Sequence, residues 1–364
     1  MKRKVIVFMP SIEGGGVEKN LFIVTNYLAK KLDNVSLITI SKKFKKKFGR
    51  SVKFLTYKLN IWDTQPRRLK YLLSLFILVR EIIKDRNVLV FAFQANIYCI
   101  ILCRLFGVRI IVRSNSAPIG WSRNFIKQFI FRFFLKKADQ VMVNSFEFKK
   151  SLKQRFNVEA ECIYNPLDKK NIIKKSKIKS QKYYKSKSKL RILNIGRFTE
   201  QKDQLTFLKS LNELKNKINF EAIILGRGVL KKELENYIDE KDLKSYVKIF
   251  DFVNNPYPII KQSELFILTS KYEGLPNVLL ETATLKKFII SSDCETGPKE
   301  ILMNGKGGFL FKVSDYKKLT NKIISFYQNK NRSKKMINLN FKGLNRFDYK
   351  ENLDKYLDLI KKNL

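Results

Sequence analysis

The chain has 364 residues, 45% hydrophobic and 29% charged, which is a globular composition with room for two domains. It contains no histidine, which excludes a Ser-His-Asp triad and a histidine-ligated zinc site. Lysine and arginine outnumber aspartate and glutamate by 74 to 32, and the net charge of +42 favours anionic partners such as nucleic acid, anionic lipid or phosphorylated small molecules.

The first half of the chain alternates short apolar runs with amphipathic runs. The runs predicted as helices span 17–31 and 69–84. The runs predicted as strands span 4–8, 35–40, 87–93, 108–113, 140–144 and 160–163. This alternation predicts a parallel sheet with helices on both faces. Neither an export signal nor an 18-residue uncharged apolar run is recognisable, so we expect a cytoplasmic protein without a membrane-spanning helix.

A lysine-rich segment separates two similar halves. Residues 169–189 contain ten lysines and no acidic residue, which predicts a solvated linker. Strands are then predicted again at 190–195, 220–225, 247–250, 265–269 and 288–292, with helices between them. We therefore expect two doubly wound α/β domains, 1–168 and 190–340, and a helical segment, 341–364, that packs back on the first domain.

Three glycine-containing turns follow predicted strands. Glycine at such a turn lets backbone amides approach a phosphate, and a following helix N-terminus favours negative charge. The turns are Gly14-Gly15-Gly16, Gly196-Arg197 with Lys202 nearby, and Gly226-Arg227-Gly228. None has the G-x-G-x-x-G spacing, so a dinucleotide site is not expected. Taken alone, the glycines could also serve only to form a tight turn, and the arginine only as a cation on the protein surface.

Two glutamates flank the start of a predicted helix. Glu273 precedes Gly274-Leu275-Pro276, and Pro276 suits a first helical turn. Glu281 lies among leucines and alanines further along the same helix. A carboxylate in apolar surroundings needs a partner, and the hydroxyls of a ribose are suitable partners.

Taken together, these motifs resemble those of the retaining glycosyltransferases of family 4, which have the two-domain GT-B fold. The resemblance also includes Tyr164-Asn165-Pro166-Leu167-Asp168 and Ser292-Asp293-Cys294-Glu295-Thr296-Gly297-Pro298-Lys299-Glu300. It covers nearly the whole chain, strongly from about 160 to 315. It implies two Rossmann-like domains that face each other across a cleft, the first for the acceptor and the second for a nucleotide sugar.

The resemblance also implies roles for individual residues. Arg197 and Lys202 would hold the diphosphate and stabilise the leaving group, and Glu273 would lie near the donor sugar, so these three are the predicted catalytic residues. The remaining predicted nucleotide-sugar contacts are Gly15, Gly16, Gly196, Gly226, Arg227, Gly274, Leu275, Pro276 and Glu281. Family members usually act without a metal, and neither a metal nor a cofactor is expected here. A histidine common in relatives is absent, and Arg113 or Asn115 is the predicted replacement on the acceptor side.

The segment 121–137 predicts a basic amphipathic helix with aromatic residues on one face. Its cations Arg123, Lys127, Arg132 and Lys136 would attract an anionic membrane surface. An ordinary domain helix that buries its phenylalanine face is the alternative. The expected donor is a UDP-sugar and the expected acceptor a lipid-linked or surface glycan, which would make the protein a peripheral enzyme on the inner face of the cell membrane.

Two other classes of protein remain compatible with parts of the sequence. The charge alone would suit a nucleic-acid-binding protein, although an AT-rich genome also favours lysine codons. An inactive GT-B scaffold that only binds a membrane or a partner would share the fold. The presence of Glu273, Glu281, Arg197 and Lys202 favours the active enzyme, which is not expected to bind nucleic acid.

Overall fold

The structure, a computed structural model, describes residues 3–115 and 125–364. The chain divides into two compact units, and each is built on one parallel β-sheet. Unit 1 comprises Met1–Pro166 and Tyr349–Leu364, and unit 2 comprises Leu167–Asp348. The predicted α/β class with two Rossmann-like domains is confirmed.

Unit 1 contains a seven-stranded sheet in the order β3-β2-β1-β4-β5-β6-β7. Its strands are β1 Lys4–Phe8, β2 Val35–Ile38, β3 Lys53–Leu55, β4 Val88–Ala92, β5 Arg109–Arg113, β6 Gln140–Val143 and β7 Glu161–Cys162. The helices between them are α1 Gly16–Lys31, α2 Arg67–Lys84, α3 Asn96–Leu105, α4 Phe125–Leu135 and α5 Phe146–Phe156.

Both faces of this sheet are buried. Val5 and Val7 enter an apolar cluster with residues of α1, whereas Ile6 and Phe8 enter a second cluster with residues of α2 and α3. Because successive side chains of a strand point to opposite faces, a continuous apolar run such as β1 serves both clusters.

Unit 2 contains a six-stranded sheet in the order β10-β9-β8-β11-β12-β13. Its strands are β8 Leu190–Ile195, β9 Phe220–Gly226, β10 Val247–Asp251, β11 Leu265–Leu268, β12 Phe288–Ser292 and β13 Phe309–Phe311. Its helices are α6 Lys169–Ser176, α7 Gln204–Leu214, α8 Lys231–Glu240, α9 Tyr257–Gln262, α10 Asn277–Thr284, α11 Pro298–Ile301, α12 Tyr316–Gln328 and α13 Lys330–Gly343.

The predicted linker 169–189 differs from the observed structure, because it belongs to unit 2 and begins with helix α6. The side chain of Asp168 caps α6 by accepting a hydrogen bond from the N–H of Asn171 at 2.9 Å. Ile172 and Tyr184 are buried, and the Tyr184 hydroxyl donates to the carbonyl of Ile192 at 2.9 Å. Isolated apolar residues among the lysines therefore anchor the segment.

The chain returns to unit 1 later than predicted, at Tyr349 rather than 341. Residues Leu344–Phe347 form a 3-10 turn whose two end residues are fully buried in unit 2. The final helix, α14 Tyr349–Asn363, then packs against α1. Within the described residues, no helix is long and apolar enough to cross a membrane.

Each sheet changes direction of growth once. In unit 2 the chain moves from β8 to β9 and β10 on one side, then continues on the other side of β8 with β11. In unit 1 the corresponding change lies between β1 and β4. The carboxyl ends of the strands at such a switch point leave a crevice, which is where open α/β sheets bind ligands.

Candidate nucleotide-diphosphate site

The predicted site residues of unit 2 lie at its switch point. The turn Gly196-Arg197 follows β8, and Glu273 lies in the loop between the neighbouring strand β11 and helix α10. Gly226-Arg227 follows β9, on the other side of β8. Residues far apart in sequence thus meet at one edge because parallel strands end there together.

Glu273 is the centre of a polar cluster. Its side chain is only 8% exposed, and its Oε1 lies 2.5 Å from the ammonium of Lys202. The hydroxyl of Ser270 donates to the same oxygen at 2.6 Å. A buried carboxylate needs such partners, because leaving it unpaired costs several kcal/mol. The pair also places a cation at the crevice, where an anionic ligand can reach it.

The loop that carries Glu273 is held in place by hydrogen bonds to its backbone. The Thr296 hydroxyl donates to the carbonyl of Glu273 at 2.5 Å, and the Ser292 hydroxyl donates to that of Ser270 at 2.6 Å. The amide of Gln201 donates to the Tyr272 carbonyl at 2.9 Å. Gln201 lies in the loop after β8, whereas Ser292 and Thr296 lie at the end of β12 and in the loop after it. These residues therefore hold the backbone that carries the Glu273 carboxylate from two sides.

Two glycines are required by close backbone approach. A Cβ at Gly226 would lie 1.9 Å from the carbonyl oxygen of Gly196, and one at Gly297 would lie 1.9 Å from that of Gly274. Gly297 also has φ of +90°, which favours glycine. The turns after β8 and β9 thus pack backbone against backbone, as do the loops after β11 and β12, and a side chain at either position would push them apart.

The two arginines of the site are exposed. Arg197 reaches the side-chain oxygen of Gln201 at 3.5 Å, and the guanidinium of Arg227 lies 4.9 Å from the centre of the Phe252 ring. The carbonyl of Arg197 is held by the amide of Gln204 at 3.0 Å. Both guanidinium groups are accessible to an anion at the ends of β8 and β9.

The second glutamate, Glu281, lies on α10 and is buried together with Leu275, Pro276 and Gly274 in front of it. Helix α10 starts at Asn277 with Pro276 as its cap residue, so the predicted helix start is correct to one residue. The Glu281 carboxylate is therefore on the buried side of α10 and not on a side of the helix that faces solvent.

Sequence reasoning assigned no roles to the hydroxyl side chains around Glu273. Ser270 precedes Glu273 by three residues, and Ser292 and Thr296 lie in the segment 292–300 quoted for the resemblance. Their spacing carries no periodic signal, because they come together only when β11 and β12 pair. Cys294 lies in the same place, and its burial and the Glu273 carboxylate raise the pKa of the thiol, which stays protonated.

The residues of the described chain form no group of three or more cysteine, aspartate or glutamate side chains that could hold a metal ion. In the polar cluster itself, the Glu273 carboxylate is paired with the ammonium of Lys202 and the hydroxyl of Ser270.

In unit 1, Gly15 and Gly16 lie at the start of α1. Gly15 is the residue before the helix and Gly16 its first residue. Gly14 has φ of +87°, which makes the tight turn between β1 and α1. Glu18 is buried in the first turn of α1, and its Oε1 accepts a hydrogen bond from the backbone N–H of Glu13 at 3.4 Å.

Arg113 does not fit its predicted acceptor role, because its side chain is fully buried. Its guanidinium donates to the side-chain oxygen of Asn165 at 2.7 Å and to the Tyr356 hydroxyl of α14 at 3.1 Å. It also lies 5.2 Å from the centre of the Phe93 ring. Arg113 therefore joins β5 to the C-terminal helix. Asn115 is half-buried and donates to the Phe93 carbonyl at 2.8 Å.

The predicted amphipathic helix is α4, and its apolar face is exposed rather than buried. Ile126, Phe129, Ile130 and Phe133 are each at least 40% exposed. Of the predicted membrane cations, Lys127, Arg132 and Lys136 are exposed, and Arg123 lies outside the described residues. The alternative of an ordinary helix that buries this face is therefore excluded for these four residues.

Comparison with protein families gives one match in this region. Residues 175–342 match the family described as Glycosyl transferases group 1. The match contains the whole polar cluster around Glu273 and the turns after β8 and β9.

Several curated relatives match parts of the chain, among them the following two. An uncharacterized glycosyltransferase of Methanocaldococcus jannaschii is 34% identical over 47% of this chain and 44% of its own length. The N-acetylgalactosamine-N,N'-diacetylbacillosaminyl-diphospho-undecaprenol 4-alpha-N-acetylgalactosaminyltransferase of Campylobacter jejuni is 29% identical over 60% of each chain. The aligned part thus spans about half the length of these relatives.

Among solved structures, the Anabaena protein HepE in complex with UDP superposes with a TM-score of 0.77 at 16% identity, covering 99% of this chain and 100% of that chain. At this identity the likeness establishes the fold, which is that of the GT-B glycosyltransferases.

Proposed function

We propose that the chain, whose residues 175–342 match the Glycosyl transferases group 1 family, is a retaining glycosyltransferase. It moves a hexose or N-acetylhexosamine from a UDP-sugar to a lipid-linked or surface-glycan acceptor. The observation that carries the proposal is the buried ion pair of Glu273 and Lys202 at the switch point of unit 2.

The proposed donor site uses the charges at the ends of β8 and β9. Lys202 and Arg197 bind the diphosphate, and Glu281 binds the ribose hydroxyls. Arg227 lies on the base side of the nucleotide. In the structure Lys202 is held by Glu273, so a diphosphate that binds there shares the ammonium with this carboxylate. The structural neighbour solved with UDP supports a uridine nucleotide.

The proposed reaction needs stabilisation of the leaving group more than it needs a base. As the bond from the anomeric carbon to the phosphate oxygen breaks, negative charge grows on UDP, and Lys202 and Arg197 are the cations proposed to neutralise it. One such interaction contributes about 3 kcal/mol to transition-state stabilisation. The acceptor attacks from the face that UDP leaves, and the departing phosphate oxygen takes its proton, so the sugar keeps its configuration.

Glu273 acts on the donor sugar. Its carboxylate is fixed by Ser270 and Lys202, and its unshared acceptor capacity suits sugar hydroxyls next to the reacting carbon. No metal enters the proposed reaction, since lysine and arginine supply the positive charge. Gly15 and Gly16 remain proposed donor contacts of unit 1, and Asn115 a proposed acceptor contact.

The proposed acceptor is a sugar linked to a polyprenyl diphosphate. Its support is the Campylobacter relative, whose name specifies a diphospho-undecaprenol-linked acceptor. The exposed apolar face of α4 and its cations support peripheral attachment to an anionic membrane.

The proposal is tested by a transfer assay with UDP-GlcNAc, UDP-GalNAc, UDP-galactose and GDP-mannose on a polyprenyl-diphosphate-linked sugar. We expect one UDP-sugar to be used, without loss in EDTA, and an α-linked product from an α-linked donor by NMR. Lys202→Ala is expected to lower kcat/KM roughly a hundredfold. The exposed neighbour Lys271→Ala serves as the matched control. Transfer that is equal in both variants, or confined to GDP-mannose, contradicts the proposal.

A further inference from the structure

Helix α2 carries apolar residues on the side that faces solvent as well as on the side that faces the core. Leu78 and Ile82 are fully buried, while Leu72, Phe76 and Ile83 are 56%, 68% and 66% exposed. A surface helix normally presents polar residues to solvent. The helix therefore has an outward apolar stripe that the fold of unit 1 does not cover.

Helix α3 packs between α2 and α4 and continues this stripe. Tyr98 and Leu105 of α3 are 55% and 74% exposed. Between α2 and α3 lies a groove of about 240 Å³, lined by Leu72, Phe76 and Val79 from one helix and Tyr98, Ile101 and Leu102 from the other. Because an apolar cavity of about 150 Å³ already takes up benzene, this volume suits a stretch of hydrocarbon chain.

The charges next to the groove are positive. Arg68 lies one helical turn before Leu72 and Arg80 one turn after Phe76, and both are exposed. The three helices together contain eight lysines and arginines and a single acid, Glu81. That acid is buried and paired with Lys4 at 2.5 Å and Lys84 at 2.7 Å, so it does not offset the cations near the groove.

We propose that the groove between α2 and α3 binds one hydrocarbon chain of an anionic membrane lipid, with the lipid phosphate at Arg68 or Arg80. The argument is complementarity: an uncharged, chain-sized groove opens beside the exposed cations Arg68 and Arg80. The inference rests on the proposed membrane attachment and adds a discrete lipid site beside α4.

The site can be located by photolabelling of the full chain. The probe is a lysophosphatidylglycerol with a diazirine in its chain, used below its micelle concentration. Peptide mass spectrometry is expected to find the label mainly in 67–84 and 96–105. An even distribution over the surface, or label on α4 alone, overturns the proposal, as does an absence of label.

Two variants sharpen the test. Ile101→Trp or Val79→Trp fills the groove and is expected to reduce labelling roughly tenfold, since two or three methylenes lose their contact. Leu339→Trp, at a half-exposed leucine of α13, is the matched control. Circular dichroism melting verifies that each variant is folded. Labelling of the groove variants equal to that of Leu339→Trp contradicts the proposal.

The headgroup is tested with Arg68→Gln/Arg80→Gln. This variant is expected to lose labelling by lysophosphatidylglycerol and to keep that by lysophosphatidylcholine with the same diazirine chain. Equal loss with both probes contradicts an anionic headgroup. Thermal-shift binding of UDP to the wild-type protein is measured separately, so that a failure of the proposed glycosyltransferase function is distinguished from a failure of the lipid site.

Discussion

The carboxyl edges of the two sheets hold charged residues in opposite ways. In unit 2, Lys202 meets Glu273 at the crevice beside β8, and Arg197 and Arg227 are exposed at the same edge. In unit 1, Arg113 at the end of β5 is fully buried and bonded to Asn165 and Tyr356. One edge presents charge to a ligand, while the other uses charge to attach the C-terminal helix.

The covering of each strand end accounts for the difference. Glu273 follows β11, a strand that borders the switch point of its sheet, whereas Arg113 is the last residue of β5, one strand beyond the switch point between β1 and β4. The end of β5 is covered by Tyr356 of α14, while Arg227 after β9, which is also one strand beyond a switch point, is exposed. A charged residue at a strand end is therefore a good site candidate only where no neighbouring element covers that end.

The largest effect is expected from Glu273→Gln. Loss of the charge leaves Lys202 without its carboxylate partner and removes the proposed acceptor for the sugar hydroxyls, so kcat/KM should fall roughly a thousandfold. Steady-state transfer kinetics measure it. Glu200→Gln, an exposed glutamate bonded to Lys271, is the control. A decrease in kcat/KM of less than tenfold would indicate that the reaction does not take place at this edge of the sheet.

Arg113→Met is expected to affect stability instead. It leaves the buried oxygens of Asn165 and Tyr356 without their guanidinium donor, which should lower the free energy of unfolding by about 3 kcal/mol. Urea unfolding measures that change, and calorimetry should find the UDP affinity of the folded variant unaltered. If the variant lost UDP binding but kept its stability, Arg113 would be a ligand-binding residue rather than a structural one.

Gly226→Ala tests the close packing of the loops in unit 2. The added Cβ would clash with the Gly196 carbonyl and displace the turn that carries Arg197, so UDP affinity should fall roughly tenfold or more. At Gly107 a Cβ meets no atom within 4 Å, although φ is +68°. Gly107→Ala should therefore lower stability slightly and leave UDP affinity as it is. Equal affinities in the two variants would argue against a nucleotide at this turn.

Ser270→Ala should have a smaller effect, because Glu273 keeps its bond to Lys202. Loss of one hydrogen bond of about 1 kcal/mol predicts a fivefold lower kcat with little change in KM. Ser270→Thr, which retains the hydroxyl, should recover most of the rate. Failure of threonine to do so would indicate that Ser270 acts through packing rather than by positioning Glu273.

The smallest effect on UDP binding is expected at the amino end of the same sheet. Burial, with Arg191 and Lys261 nearby, lowers the pKa of Lys287 to about 8. Between pH 8 and 10.5 the unfolded chain then binds more protons than the folded one, so stability should rise with pH. Lys287→Met should remove this rise, as seen by urea unfolding at pH 7.5, 9 and 10. A UDP affinity that follows the same titration would contradict a site confined to the carboxyl edge.

Most strands and the glycine turns were predictable because their patterns are local, whereas β3 and β13, each three residues long, were not predicted. The apolar runs at β1 and β8 match the observed strands residue for residue, and Pro276 marked the start of α10. The polar partners of Glu273 were not predictable. Ser270, Ser292 and Thr296 are ordinary loop and strand-end residues until the pairing of β11 with β12 brings them together.

The lysine-rich segment shows the limit of composition. Ten lysines between 169 and 189 suggested a solvated linker, yet Asp168, Ile172 and Tyr184 tie it to unit 2. One helix cap and two buried side chains fix the position of this segment despite its high charge, because each of them pairs or buries specific atoms. Arg113 failed as a site prediction for a related reason: its partner Tyr356 lies 243 residues away.

Isothermal titration of UDP into the wild-type protein, Lys202→Ala and Arg113→Met tests the contrast most directly. We predict that the wild-type protein and Arg113→Met bind UDP with the same affinity, while Lys202→Ala binds it at least tenfold more weakly. Equal binding by wild-type protein and Lys202→Ala, or loss of binding in a folded Arg113→Met, would contradict the assignment of the nucleotide to unit 2 and of the buried arginine to structure.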